Sequence, residues 1–425
     1  MKKRRYWFKI DNAGKVFPAI SNQERSNVFR LSMSFHDDVK SDLLEQAVNL
    51  VLPRFEVFAV KIKTGLFWQY FDSNQKYFKV EKEPAVITRY FHPRKNQHYL
   101  FKVYYFNNRV TLETFHALTD GSGAYQFLLS IAYEYLTLLG HQLDPEDMIL
   151  GRKPLQPKES EDAFVSNYDP KLVKKMREEH AFHLKNEAYK HQFSHLFSMK
   201  MSVVEVKKVA KKYGATITQY LASVIVFAMM RESLNFNTQK KPLKLFIPIN
   251  LRPYFHEVTL RNFSMYLKTV FYPDQANISF EDIIEITKTQ FQEQLTKESL
   301  VSRLSGYVSL EKKLILRMMP FFIKNIAFKI GYDMLGAKIN TASFSNLGQA
   351  KLPSSMKPYI SDINFIIGGF GLGISSISYE DTLQLNLATR LKDHSIMRKI
   401  VDTFHDHQLT MHVYSNYEEE YDAIL

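Results

Sequence analysis

The 425-residue chain has no cysteine, and that absence removes disulfide cross-links, a thiol nucleophile and cysteine-ligated zinc together. It fits a reducing compartment, and a cytoplasmic location is expected. Tryptophan is nearly missing as well, with 2 residues against 24 Tyr and 33 Phe, a balance that suits much β-structure. No apolar run reaches about 18 residues, so no membrane-crossing helix is expected. The basic start Lys2-Lys3-Arg4-Arg5 is followed by Tyr6-Trp7-Phe8-Lys9-Ile10-Asp11, which is not the apolar core of a signal peptide.

Several function classes fall away for want of their motifs. There is no phosphate-binding P-loop and no Gly-x-Ser-x-Gly nucleophile elbow. Gly368-Gly369-Phe370-Gly371-Leu372-Gly373 is glycine-rich but lacks the spacing and the following helix of a dinucleotide fingerprint. It reads as a hairpin or a close sheet crossing. The net charge of +12 is spread along the chain and accompanies no DNA- or RNA-reading pattern, so nucleic acid is not an expected partner. An anionic small molecule in a basic channel accounts for the charge. His180, His183, His191 and His195 recur at helical spacing on a polar stretch from Pro170 to about Phe197. They read as solvated helix-surface residues, and no metal site is expected.

What is present suggests two domains. The length exceeds one ordinary core, and an apolar share of 45% is ample for burial. Residues 28–36 alternate as a half-buried strand. Ser41 suits the N-cap of a helix carrying Leu44, Ala47, Val48 and Val51. Strand-like runs follow at 57–63, 66–71, 99–106 and 110–115, with a turn signal at Asn107-Asn108. Proline and charge dominate between Gly140 and Asp162. The second half opens with a capped helix at Ser202, and Ser279 caps another; strands are expected at 245–250, 265–271, 364–367, 374–379 and 383–389. The expected fold class is α+β, or mixed α/β, in two layers per domain. Its parts are an N-terminal domain over 1–165, a connecting segment over 166–200 and a C-terminal domain over 201–425. The apolar stretch Leu314 to Phe328 is interrupted by Arg317, Pro320 and Lys324. It reads first as a core-packing helix, and second as an amphipathic lip over an apolar channel or a peripheral membrane element.

The stretch that organises the chain is Phe115-His116-Ala117-Leu118-Thr119-Asp120-Gly121, between a strand and a helical pattern from about Gly123 to Leu138. Imidazole is the side chain best matched to proton transfer near neutral pH, so His116 is the candidate general base. These residues, in this context, resemble the His-x-x-x-Asp-Gly motif of the chloramphenicol-acetyltransferase-like superfamily. Pro53-Arg54-Phe55, Tyr213 to Leu221, Phe246 to Arg252, Arg261-Asn262-Phe263 and Phe344 to Gly348 resemble further segments of it in the expected order, with the closest likeness to bacterial alcohol acetyltransferases.

The resemblance implies two similar domains around a central tunnel. Acyl-CoA would enter as a co-substrate, not a permanently bound cofactor, and a hydroxyl-bearing small molecule or lipid would come from the other side. It also implies that Asp120 pairs with an arginine instead of relaying protons. Arg252 is the first candidate partner and Arg261 the second, while Gly121 would permit the tight turn into the helix. Ser343, Ser345 and Asn346 are candidates for an oxyanion hole or for substrate positioning, and equally for a turn or bulge. A single motif histidine, preceded by Phe115, departs from the doubled histidine of condensation domains. The plant Asp-Phe-Gly-Trp-Gly segment is absent. The leading expectation is an acyl-CoA-dependent acyltransferase moving an acyl group, expected to be acetyl, from the CoA thioester to a hydroxyl acceptor. The alternatives are a carrier-protein-dependent condensation-type transferase and a catalytically silent binding module.

Overall fold

The computed structural model describes residues 5–90, 92–173, 178–184, 187–189, 194–233, 236–313, 318–334, 338–368 and 371–416. The first half supplies strands β1 (Trp7–Lys9), β2 (Val28–Phe35), β3 (Val60–Thr64), β4 (Gln69–Ser73), β5 (Glu81–Lys82), β6 (Phe101–Phe106) and β7 (Arg109–Phe115). Its helices are α1 (Phe17–Ile20), α2 (Ser41–Val51), α3 (Gly121–Leu138) and α4 (Ala163–Ser166). The second half supplies β8 (His195–Ser202), β9 (Leu243–Asn250), β10 (Ser264–Phe271), β11 (Ala342–Gln349), β12 (Ile360–Ile367), β13 (Leu372–Tyr379), β14 (Thr382–Thr389) and β15 (Met411–Ser415). Its helices are α5 (Val203–Lys212), α6 (Ile217–Glu232), α7 (Arg252–Phe255), α8 (Phe280–Gln294), α9 (Lys297–Lys312), α10 (Phe321–Met334) and α11 (Ser395–Asp406).

The N-terminal half forms a sheet in the order β12-β2-β7-β6-β5, with a separate three-stranded sheet β1-β4-β3 beside it. Asn107 makes the β6–β7 turn at φ 48°, a left-handed conformation that asparagine tolerates well. β7 is buried along almost its whole length and ends at Phe115, so the next residue, His116, emerges from the sheet. Leu44, Ala47, Val48 and Val51 of α2 are buried in the core that α3 also enters. Ser41 is the first residue of α2 and not its cap. Lys40 holds that position without a side-chain bond, its backbone N–H donating to the Tyr135 hydroxyl at 2.9 Å.

The C-terminal half forms a sheet in the order β10-β9-β11-β13-β14-β8-β15, with a second core between it and the helices. Thr216 and Ser279 start α6 and α8 with reciprocal capping boxes, each satisfying N–H groups that the first turn leaves open. Ser202 caps α5 by accepting from the Glu205 N–H at 3.2 Å.

Two further expectations change, the helix over 170–197 and the division into domains. Of the polar helix expected over 170–197, the described residues form a 3-10 turn at Pro170–Leu172, no helix over 178–184 or 187–189, and the start of β8 at His195. His195 Nδ1 lies 2.9 Å from His394 Nε2, and His191 lies outside the described residues. Around Gly368 to Gly373 the chain crosses between sheets, because β12 pairs with β2 while β13 pairs with β11 and β14. Gly369 and Phe370 within that stretch are outside the described residues. The division into 1–165 and 201–425 therefore does not separate the two sheets. Residues 360–367 complete the N-terminal one, and Met356, Ile360, Ile363 and Phe365 belong to its core. Strand pairing is non-local, so no feature of the 360–367 sequence could announce which sheet it joins.

A chain cut after residue 200 loses β12 and leaves β2 as an open edge beside uncovered core residues. It should aggregate or stay partly unfolded, as size-exclusion chromatography and circular dichroism would register, whereas the full chain should elute as a folded species.

Candidate functional site

The turn after β7 is held by backbone bonds that begin at the histidine. The His116 N–H donates to the Asn27 carbonyl at 2.9 Å, and the Leu118 N–H donates back to the Phe115 carbonyl at 2.9 Å. The imidazole is half-buried, stacked on Phe17 with ring centroids 4.6 Å apart and edge-on to Phe29 at 5.2 Å.

Its Nδ1 lies 3.0 Å from Asn262 Oδ1. The Asn262 Nδ2 group donates to the His116 carbonyl at 3.0 Å and to Asp11 Oδ2 at 3.2 Å. Both of those partners are acceptors only, which sets the orientation of the amide and puts its oxygen toward the ring. His116 Nδ1 must then carry the proton, and Nε2 keeps the lone pair. Burial holds the imidazole pKa below its usual range, with its own carbonyl, Asp120 and Asn262 opposing more weakly. The ring is therefore a neutral base near pH 7.

Asp120 serves a different purpose. Arg252 grips it with two bonds, Nη1 to Oδ2 at 2.9 Å and Nη2 to Oδ1 at 3.0 Å. Oδ1 also accepts from the Gly123 N–H at 3.1 Å, capping α3, and Oδ2 from the Phe263 N–H at 2.9 Å. Arg252 spends its other donors on the Thr259 carbonyl at 2.8 Å, Asn250 Oδ1 at 3.1 Å and the Arg261 carbonyl at 2.6 Å. Both groups are thus saturated, and Asp120 has no lone pair left for His116. Arg261, the second candidate partner, sits instead 3.6 Å from Asp11.

Gly121 is favoured by closeness to a side-chain tip, not by a left-handed turn. A Cβ there would lie 2.6 Å from Leu347 Cδ2 of β11. Gly123 is tighter still, since a Cβ would meet the Leu260 carbonyl oxygen at 2.3 Å.

His116, Asp120 and Gly121 line a cavity of about 800 Å³ together with Ser343, Ser345 and Asn346. On β11 the side chains alternate, with Phe344 in the core and Ser343 and Ser345 half-buried at the cavity. Asn346 is engaged elsewhere. Its Nδ2 donates to Thr218 Oγ1 at 2.9 Å and its Oδ1 accepts from the Gly348 N–H at 2.8 Å, inside the irregularity of β11. It shapes the bulge and gives one of its two amide N–H groups to Thr218, so the two serines are the hydroxyl donors of the three and Asn346 keeps a single N–H beside them. Arg25, Arg89 and Arg390 also line this cavity. A second cavity of about 490 Å³ shares Gly121, Ser122, Asn250 and Leu347 with the first, so Leu347 packed on Gly121 lies between the two.

Sequence reasoning gave no role to Asp11, Phe17 or Asn262. Asn262 had a signal, its place in the Arg261-Asn262-Phe263 segment, but its contact with a ring 146 positions away had none. Asp11 is fully buried, and burial pushes its carboxyl up to about 6, with Arg261 pulling the other way.

No family model matches the sequence, and no curated protein matches it. Solved structures do match in fold. A trichothecene 15-O-acetyltransferase from Fusarium sporotrichioides aligns over 95% of this chain and 94% of its own, with TM-score 0.61 and 11% identity. TRI101 of F. graminearum, solved with ethyl coenzyme A, covers 97% and 100% with TM-score 0.62 and 11% identity. The condensation domain of the monacolin K polyketide synthase MokA covers 95% and 96% with TM-score 0.58 and 12% identity. The chain has the two-domain fold that these solved structures share.

Replacing Arg252 by Ala strands a buried carboxylate and should cost on the order of 3–5 kcal/mol, seen as a lower thermal midpoint. Because the folded state favours neutral His116, that residue's contribution to stability falls as pH drops below the ordinary histidine range, and the stability difference between wild type and His116→Gln, from chemical denaturation between pH 7 and 5, should show it.

Proposed function

We propose that the chain is an acyltransferase that moves an acyl group from a coenzyme A thioester to a hydroxyl acceptor, with His116 as general base. The observation that carries this reading is the lone pair on His116 Nε2, fixed there by Asn262 and borne by a neutral ring that lines the larger cavity. A neutral alcohol is a weak nucleophile unless its proton is removed as it attacks.

In the proposed step the acceptor oxygen bonds to the thioester carbonyl carbon while Nε2 takes the hydroxyl proton. The carbonyl oxygen becomes an oxyanion, for which Ser343 and Ser345 are the available hydroxyl donors. The intermediate collapses, the C–S bond breaks, and imidazolium returns its proton to the departing thiolate. Proton and electron pairs balance, and the enzyme ends as it began. Arg25, Arg89 and Arg390 give the cavity the positive lining that a donor rich in phosphate calls for. TRI101 with ethyl coenzyme A, and the rhizomide synthetase starter condensation domain with C8-CoA, are fold neighbours solved with such ligands, which supports the donor class.

Condensation domains also appear among those neighbours, so a donor tethered to a carrier protein is the second reading. Turnover with carrier-bound acyl groups and none with acyl-CoA would select it.

The missing cysteines make the assay clean, because a thiol reagent reports released coenzyme A alone. With acetyl- and longer acyl-CoA against a panel of alcohols, wild type should release thiol, and His116→Ala should be slower by about 10²–10⁴-fold. Equal rates for the two proteins would remove His116 as the base. Asn262→Asp places a charge beside Nδ1 and raises the histidine pKa. Its acidic limb in kcat/KM against pH should therefore move upward by about one unit or more.

A further inference from the structure

Helix α10 is built the wrong way round for a surface helix of a water-soluble protein. Two of its polar residues turn inward: Lys324 is half-buried with Nζ donating to the Phe67 carbonyl at 2.8 Å, and Asn325 is half-buried beside it. Its apolar residues face out, with Phe322 66%, Ile326 57% and Ile330 52% exposed. The expectation of a core-packing helix is thus corrected for the described part of the stretch, residues 318–328; Leu314 to Arg317 lie outside the described residues. The tip of the β3–β4 hairpin adjoins α10, the Phe321 N–H donating to the Leu66 carbonyl at 2.8 Å, and Leu66 is 73% exposed. Isolated exposed apolar residues need no explanation, but a contiguous group on one helix and a neighbouring loop does.

We propose that α10 and the Leu66–Trp68 tip form a docking surface for an anionic lipid bilayer. Two observations favour a bilayer over a protein partner. The apolar face carries a basic flank: Lys329 is exposed on α10, Lys9 is exposed with its ammonium 5.7 Å from the Trp68 ring centroid, and Lys324 lies at the same distance from that ring. Apolar side chains set between lysines and a tryptophan match the layering of an interface, where rings and methyls enter the acyl boundary and ammonium groups meet headgroup phosphates. The surface is also continuous with the larger cavity. Tyr332 of α10 lines that cavity, and α10 packs on α1, whose Phe17 stacks on His116. An apolar hydroxyl compound dissolved in the bilayer would thus meet the cavity mouth without crossing water. That last point rests on the acyl-transfer reading; the docking surface does not.

Flotation with vesicles of phosphatidylcholine, with and without about one third phosphatidylglycerol, tests the surface. Wild type should float with the anionic vesicles and weaken as salt is raised. Phe322→Ser combined with Ile326→Ser, both exposed and outside the cavity, should reduce binding on the order of tenfold or more. His116→Ala should bind as wild type does, so a failed acyl-transfer assay leaves this test standing. Failure of wild type to bind either vesicle would overturn the proposal, as would equal binding by the double variant. A wild-type dimer that the double substitution converts to monomer, without lipid binding, would instead assign the surface to a second copy of the chain.

Discussion

The ion pair between Asp120 and Arg252 is the constraint on which the site depends. It joins the two halves of the chain, and its bonds do more than neutralise charge. Asp120 holds the Phe263 N–H while Arg252 holds the Arg261 carbonyl, at 2.9 and 2.6 Å. Asn262 is the residue between them, so its backbone is clamped on both sides. Its side chain is the one that sets the tautomer of His116. The motif carboxylate therefore acts on the histidine through position. A buried pair of this kind is sensitive to the loss of either partner, because the survivor keeps its desolvation cost without its compensation.

The same arrangement explains the electrostatics. A carboxylate bonded directly to the imidazole would raise its pKa and favour the charged ring. An amide raises it only weakly, and burial against Phe17 and Phe29 can then hold the ring neutral. The carboxylate nearest in the hydrogen-bond chain is Asp11, one amide removed, and burial lifts it to about 6. On β11, strand alternation turns Ser343 and Ser345 to the cavity, and Asn346 sits in a bulge with one amide N–H given to Thr218.

Much of this was legible along the chain. Strand β7, the turn at His116 and helix α3 follow from local pattern, and the arginine partner of Asp120 followed from resemblance to a family whose fold the chain shares. Other features were not legible. Ser41 looks like a cap, yet Tyr135, 95 positions away, holds Lys40 and starts the helix there. The histidines of 180–195 have helical spacing, but 195 onward pairs as a strand with β14 and β15.

By itself the sequence determined the local elements, the placing of a histidine at the end of a strand, and the exclusion of thiol and P-loop chemistry. These depend on side-chain type and on neighbours a few residues apart. Only the tertiary structure decided that residues 360–367 complete the first sheet, that Asn262 orients His116, and that α10 turns its apolar face outward. Each of those is a contact between distant segments or a choice of which helix face meets the protein. Hydrophobic spacing shows that a face exists, while the packing of the rest of the chain decides whether that face is covered.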